Sequence, residues 1–157
     1  MTRTRHDEGG APVATRNAPT GSCCAPVWEA RIVLAVGDVL TENQRLHHYA
    51  RNARVQSIRT VAHQTAVVTR APRLERARLD VEVAFPDRRR RDTHNLMPTV
   101  KAVVDGLVDA RLLPDDSWRH LSGPRLERAP EVSPRRLGQR TFTFHLRVYD
   151  LGEALSR

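Results

Sequence analysis

Lysine is almost missing from this chain. Lys101 is the only lysine among 26 basic residues, and the remainder are arginine. A composition this biased makes nearly any basic site an arginine by default. The one lysine therefore marks a position that wants a compact ammonium rather than a planar fork. Aromatic residues make up only 4%, which argues against a single-strand binder built on rings in series. A protein that grips phosphates and backbone shape stays open. Cysteine is confined to Cys23 and Cys24, adjacent in sequence. Neighbouring cysteines rarely bridge each other and two thiols do not make a zinc site, so both read as reduced and incidental. No segment reaches the roughly 20 apolar residues of a membrane span. The N-terminus lacks the apolar stretch of a secretory signal. A cytoplasmic protein is the expectation.

What is present is positive charge. The formal net charge is +8 over 157 residues, which points to a polyanionic partner, nucleic acid or an anionic membrane surface. The length suits one domain with a modest core and no staples. Residues 1–26 are rich in Gly, Pro, Thr, Arg and Ala without periodicity and read as a disordered basic tail. Residues 27–157 read as a single domain.

Within that domain, Trp28, Ala30, Ile32, Leu34 and Val36 alternate with more polar neighbours and predict a strand. Leu46, Ala50, Ala53, Ile58, Val61, Thr65 and Val68 recur at helical spacing, which predicts a basic amphipathic helix from Gln44 to Val68. Leu79, Val81, Val83 and Phe85 alternate as a second strand, stopped by Pro86. A second helix is expected from Asn95 to Leu112, with Asn95 as N-cap and Pro98 tolerated in the first turn. A short segment follows from Trp118 to Leu121. Gly123 to Gln139 reads as a loop, and Phe142, Phe144, Leu146 and Val148 as the last strand. Interspersed strands and helices predict an α/β (α+β) fold, a small mixed sheet with two main helices packed on it.

The chemistry-bearing stretch is DRRRRDTHNLMPTVKAVVDGLVDARLLPDD, Asp87 to Asp116. On a wheel of 100° per residue, Leu96, Val100, Val103, Leu107 and Ala110 share the core arc. His94, Lys101, Asp105 and Asp109 share the opposite arc. Asp92 lies just before the helix, and Asp115 and Asp116 follow Pro114. Singly these have plain structural readings: an i,i+4 ion pair for Lys101 and Asp105, a helix-entry carboxylate for Asp92, a Pro-Asp turn for Asp115 and Asp116. Together, two acidic clusters flank one helix. Magnesium needs oxygen ligands and is usually held by one or two carboxylates plus waters and substrate phosphate, a need that Asp92 with Asp116 would meet. Arg88, Arg89, Arg90 and Arg91 form an exposed cationic block of the kind that binds phosphates.

These residues resemble the RusA-type Holliday junction resolvases, bacterial and prophage-encoded endonucleases. Asp-Arg-Arg-Arg-Arg-Asp-x-x-Asn, a helical lysine, Asp-Gly-Leu and Leu-Pro-Asp-Asp occur in that order. Thr41, Asn43, Arg45 and His47 are similar to the family's early Asn-containing loop. The resemblance spans roughly Leu34 to Val148. It implies a homodimer of small α/β subunits that binds four-way DNA junctions and makes paired cuts with a divalent metal, usually Mg²⁺. By position it implies Asp92 and Asp116 as catalytic aspartates, Lys101 as the important lysine after a longer spacer, and Asp105 and Asp115 in secondary roles. His94 stands where the family has its second motif aspartate. Imidazole can ligate a metal but brings no negative charge, and it favours Mn²⁺, Zn²⁺ or Ni²⁺ over Mg²⁺.

The expectation is a metal-dependent DNA endonuclease that resolves four-way junctions in recombination and repair. Asp92, His94 and Asp116 would hold Mg²⁺, with Mn²⁺ as the alternative ion. Lys101 would stabilise developing negative charge. Arg88 to Arg91 with Asn43, Arg45, Arg51 and Arg54 would hold the DNA. The first rival is a junction-binding protein made non-catalytic by His94. The second is a basic DNA-binding regulator, disfavoured because a strand separates the two helices. A membrane-surface role is weaker, since the first helix lacks a bulky Trp/Phe/Leu face.

Overall fold

A computed structural model describes residues 25–153. Most of the expected tail, with Cys23 and Cys24, lies outside the described residues. The elements are β1 (Trp28–Ala35), α1 (His48–Val68), β2 (Ala77–Phe85), a 3₁₀ turn (Thr93–Leu96) running into α2 (Met97–Asp109), β3 (Leu121–Val132) and β4 (Thr141–Asp150). The four strands form one sheet in the order β1-β4-β2-β3. β4 is antiparallel to both β1 and β2, whereas β2 and β3 are parallel. Parallel neighbours need a crossover, and the turn with α2 supplies it. The fold is a small mixed α+β architecture, as the alternation of periods implied.

The alternating apolar residues of each strand share one face. Ile32, Leu34, Leu79, Val81, Val83, Phe144 and Leu146 are all buried there, in one cluster with Val100, Val103 and Leu107 of α2. The opposite face is charged, and Arg147 pairs across it with Glu29 at 3.5 Å and Glu82 at 2.8 Å. Among the described residues, no helix is long and apolar enough to cross a membrane.

The segment expected as a loop from Gly123 to Gln139 is instead mostly β3. Its signal was masked because it is an edge strand. Edges tolerate proline and collect charge, and β3 carries Pro124, Pro130, Arg125, Glu127 and Arg128. Gly123 permits the register shift opposite Leu79: its φ is 105°, and a Cβ there would lie 2.7 Å from the Leu79 carbonyl oxygen. The expected segment from Trp118 to Leu121 is a turn that delivers Leu121 to the start of β3.

Helix boundaries also shift. α1 begins at His48 rather than Gln44, because residues 36–47 form a separate loop docked on α2. Its buried stripe is Ile58, Ala62 and Ala66, while Ala50, Ala53 and Val68 of the expected apolar arc are exposed. Small residues are selected because the two helices approach closely: a Cβ on Gly106 of α2 would overlap the Arg59 carbonyl and lie 2.7 Å from Ala62 Cβ. α2 stops at Asp109 because Arg111 adopts φ 62°, which returns Leu112 and Leu113 to the core. Asn95 is not the N-cap. Asp92 caps the 3₁₀ turn ahead of the helix by accepting from the His94 amide, and α2 itself has no side-chain cap.

Candidate functional site

The sheet register gathers the functional segments at one end. Ala35 pairs with Thr141, Ala84 with Thr143, and Phe85 with Val132. The loop after β1, the arginine run after β2 and the connection into β4 therefore all leave from the same end of the sheet.

Asp87 organises the arginine run. Its carboxylate accepts from the Arg89 amide at 3.1 Å, from Arg91 at 2.8 Å and from the Arg140 guanidinium. Its backbone carbonyl accepts from Arg128 at 3.3 Å. Desolvation opposes ionisation of Asp87, but the Arg89 amide and the Arg91 and Arg140 charges outweigh it and lower its pKa. This hub divides the run. Arg91 is half-buried and committed to Asp87, whereas Arg88, Arg89 and Arg90 are exposed.

The loop from Val36 to His47 is held against α2 by Thr99, which is fully buried. The Leu40 amide donates to Thr99 Oγ1 at 2.8 Å, and the Thr99 hydroxyl donates back to the Leu40 carbonyl at 2.7 Å. The Glu42 amide donates to the Asn95 carbonyl at 2.9 Å, and Asn43 Nδ2 donates to Asn95 Oδ1 at 3.4 Å. Asn95 thus serves as a loop anchor. Between loop and arginine run opens a cleft of about 330 Å³ lined by Thr41, Asn43, Arg90, Arg91, Asp92 and Asn95. Asp92 is exposed, with Oδ1 2.9 Å from the His94 amide, and His94 is also exposed.

One turn into α2, Lys101 meets two carboxylates. Its Nζ lies 3.3 Å from Asp116 Oδ2 and 3.8 Å from Asp105 Oδ1. The hydrogen bond to Asp116, and then the Asp105 charge, raise the Lys101 pKa. The ammonium stays charged at any physiological pH. Lys101 is still 67% exposed, so these are solvated pairs that add little stability. Asp115 accepts from the Asp116 amide at 2.7 Å, and that bond holds its carboxyl below the usual range. The tight turn aims Asp116 back toward α2.

The structure brings Lys101, Asp105 and Asp116 together, and separately Asn43, Asp92 and Asn95. Asp109, placed by the wheel beside Lys101, instead pairs with Arg59 of α1, whose Nη2 lies 2.6 Å from Oδ1. Arg45 is exposed just before α1, and Arg51 and Arg54 are half-buried in its first two turns. Among the described residues, no three His, Cys, Asp or Glu side chains converge closely enough to hold an ion by themselves.

Several features escaped the sequence reading. Thr99 gave no signal, because a threonine inside a helix looks like one more core-facing position. Asp87 looked like the edge of a charge run, not its hub. His47, His48 and Tyr49 form a ring cluster with centroids 4.0–5.4 Å apart at the entrance to α1, visible only as a local His-His-Tyr run. No family model matches the chain, and no match is found among curated proteins.

Proposed function

We propose that this protein is a structure-selective DNA endonuclease that acts on four-way junctions as a homodimer, in the manner of the RusA-type resolvases it resembles. The observation that carries the reading is the grouping of Lys101 and Asp105 of α2 with Asp116 from the turn that follows, on a helix whose entrance holds Asp92. The exposed Arg90 lines the cleft that Asp92 borders. Cations near the helix entrance and a carboxylate-lysine cluster further along the helix suit a phosphodiester substrate.

Asp92 and Asp116 stand in separate groups, and by chemistry their carboxylate oxygens would suit a hard divalent cation, with water and substrate phosphate completing the coordination of Mg²⁺. With His94 taking part, Mn²⁺ becomes the competitive ion. Such an ion supplies an activated water and neutralises phosphate charge. The remaining tasks belong to the chain. Lys101, held charged by its carboxylates, offsets negative charge that develops on the scissile phosphate. Arg88, Arg89 and Arg90 grip the backbone, and Arg45, Arg51 and Arg54 extend the contact along α1. Asn43, tied to Asn95, sets the position of the loop over the cleft. Paired nicks across a two-fold substrate call for two such sites, hence the dimer.

A non-catalytic junction binder is the second reading. It is favoured by two engagements of the candidate ligands, Asp116 with Lys101 and Asp92 with the His94 amide. One experiment separates the two. A synthetic four-way junction and a linear duplex of the same sequence are incubated with the protein in Mg²⁺ and in Mn²⁺. Paired nicks confined to the junction, abolished by Asp116→Asn with binding retained, are the expected result. Tight junction binding with no nicks in either metal selects the non-catalytic reading. Wild-type cleavage rates from Asp116→Asn would remove Asp116 from the site.

A further inference from the structure

The connection from β3 to β4 ends in a hairpin turn that its own chemistry does not explain. Arg136 and Gln139 exchange both backbone hydrogen bonds, at 3.0 and 2.9 Å. The two residues between them, Leu137 and Gly138, have φ of 49° and 77°. Two-residue turns with both φ positive are built from Asn-Gly, Asp-Gly or Gly-Gly. Gly138 fits that rule and Leu137 does not, because its Cβ crowds the following carbonyl in the left-handed region. No packing compensates, since Leu137 is 98% exposed. A residue that is both the wrong type for its backbone and unburied calls for a reason outside the fold.

Its surroundings supply one. Arg135, Arg136 and Arg140 flank the turn and are exposed. Arg135 Nη1 donates to the Gly138 carbonyl at 3.1 Å, which stiffens the tip. Arg140 ties the base of the turn to Asp87, the hub of the arginine run. The tip is thus a braced apolar point ringed by cations, at the end of the sheet that carries the candidate cleft. DNA-bending proteins use this combination: cations take the phosphates while an apolar side chain enters between base steps. Unstacking is easiest where the stack is already interrupted.

We propose that Leu137 is a wedge that enters the base stack at the branch point of a DNA junction, with Arg135 and Arg136 clamping the flanking phosphates while Arg140 braces the turn on Asp87. The proposal rests on the junction-binding reading above and adds the residue that recognises the branch. A lipid surface is the poorer occupant, because a single leucine buries too little apolar area to hold a membrane.

The test uses the full chain and a four-way junction carrying 2-aminopurine beside the branch point, with a linear duplex as reference. Wild type is expected to prefer the junction and to raise the 2-aminopurine fluorescence on binding. Leu137→Asn installs a residue the turn favours, so its melting temperature is expected to match or exceed wild type. Its junction affinity is expected to fall about tenfold with the fluorescence rise lost, while duplex affinity holds. Leu137→Met, which keeps an apolar tip, is expected to retain the rise. If Leu137→Asn binds the junction and raises fluorescence as wild type does, the wedge is wrong and the junction reading stands. If wild type shows no junction preference, the junction reading itself falls. Loss of self-association in Leu137→Asn by sedimentation, or Leu137-dependent binding to phosphatidylserine vesicles, would assign the tip to another surface and overturn the proposal.

Discussion

Gly106 is the most crowded of the described glycines, and replacing it with alanine tests the packing that carries the candidate site. The new methyl group would overlap the Arg59 carbonyl and sit 2.7 Å from Ala62 Cβ. Neither neighbour is the end of a flexible side chain, so α1 and α2 must separate. Overpacking of this kind costs about 1–3 kcal/mol, and a clash with backbone belongs near the upper end. Alanine returns about 1 kcal/mol in helix propensity. The net loss is then roughly 2 kcal/mol, or about 4–8 °C in melting temperature for a chain of this size. Separation would also strain the Arg59–Asp109 pair that links the helices and displace Lys101 and Asp105 with α2. The assay is thermal unfolding by circular dichroism of Gly106→Ala, with Gly37→Ala as the control. A Cβ at Gly37 meets nothing within 4 Å, so the control should fall within about 0.5 kcal/mol of wild type. A Gly106→Ala protein that melts at or above the wild-type temperature would refute the close-crossing argument.

Two further predictions concern the sheet end. The folded pKa of Asp87 is depressed, so its contribution is present above the ordinary carboxylate range and is lost as pH falls through the lowered value. Asp87→Asn should therefore melt below wild type at pH 7, with the gap closing as pH drops below about 4; a gap that is constant with pH would show that the carboxylate charge is irrelevant. At position 92 cap and chemistry separate. Asp92→Asn should keep the cap and Asp92→Ala should lose about 1 kcal/mol, roughly 2–4 °C in melting temperature. Both should abolish junction cleavage, and normal cutting by Asp92→Asn would take Asp92 out of the chemistry.

Three of the four strands and both helices were legible because each alternates or repeats cleanly against one apolar face. β3 was illegible for the opposite reason. It pairs on one side only, faces solvent along most of its length, and so carries prolines and charges that imitate a loop. The crossover of β2 onto β3 followed from neither period, since a parallel pairing joins segments far apart in sequence. The burial stripe of α1 was misjudged because Ala62 and Ala66 are apolar too weakly to stand out, yet a close helix crossing needs small residues.

The candidate site divides in the same way. Local sequence determined the nearness of Lys101 to Asp105, one helical turn apart, and the cluster of arginines from Arg88 to Arg91. Sequence also determined that the apolar arc of α2 would face inward, because helical geometry fixes which residues share a side. Only tertiary structure decided that Asp116 would complete the Lys101 cluster and that Asp109 would leave it for Arg59. The same holds for the distant Arg140 joining Arg91 on the Asp87 carboxylate, and for the gathering of Asn43, Asp92 and the Leu137 turn at one end of the sheet. Those contacts join separate segments, and only the strand register and the crossing of α1 with α2 bring them within reach.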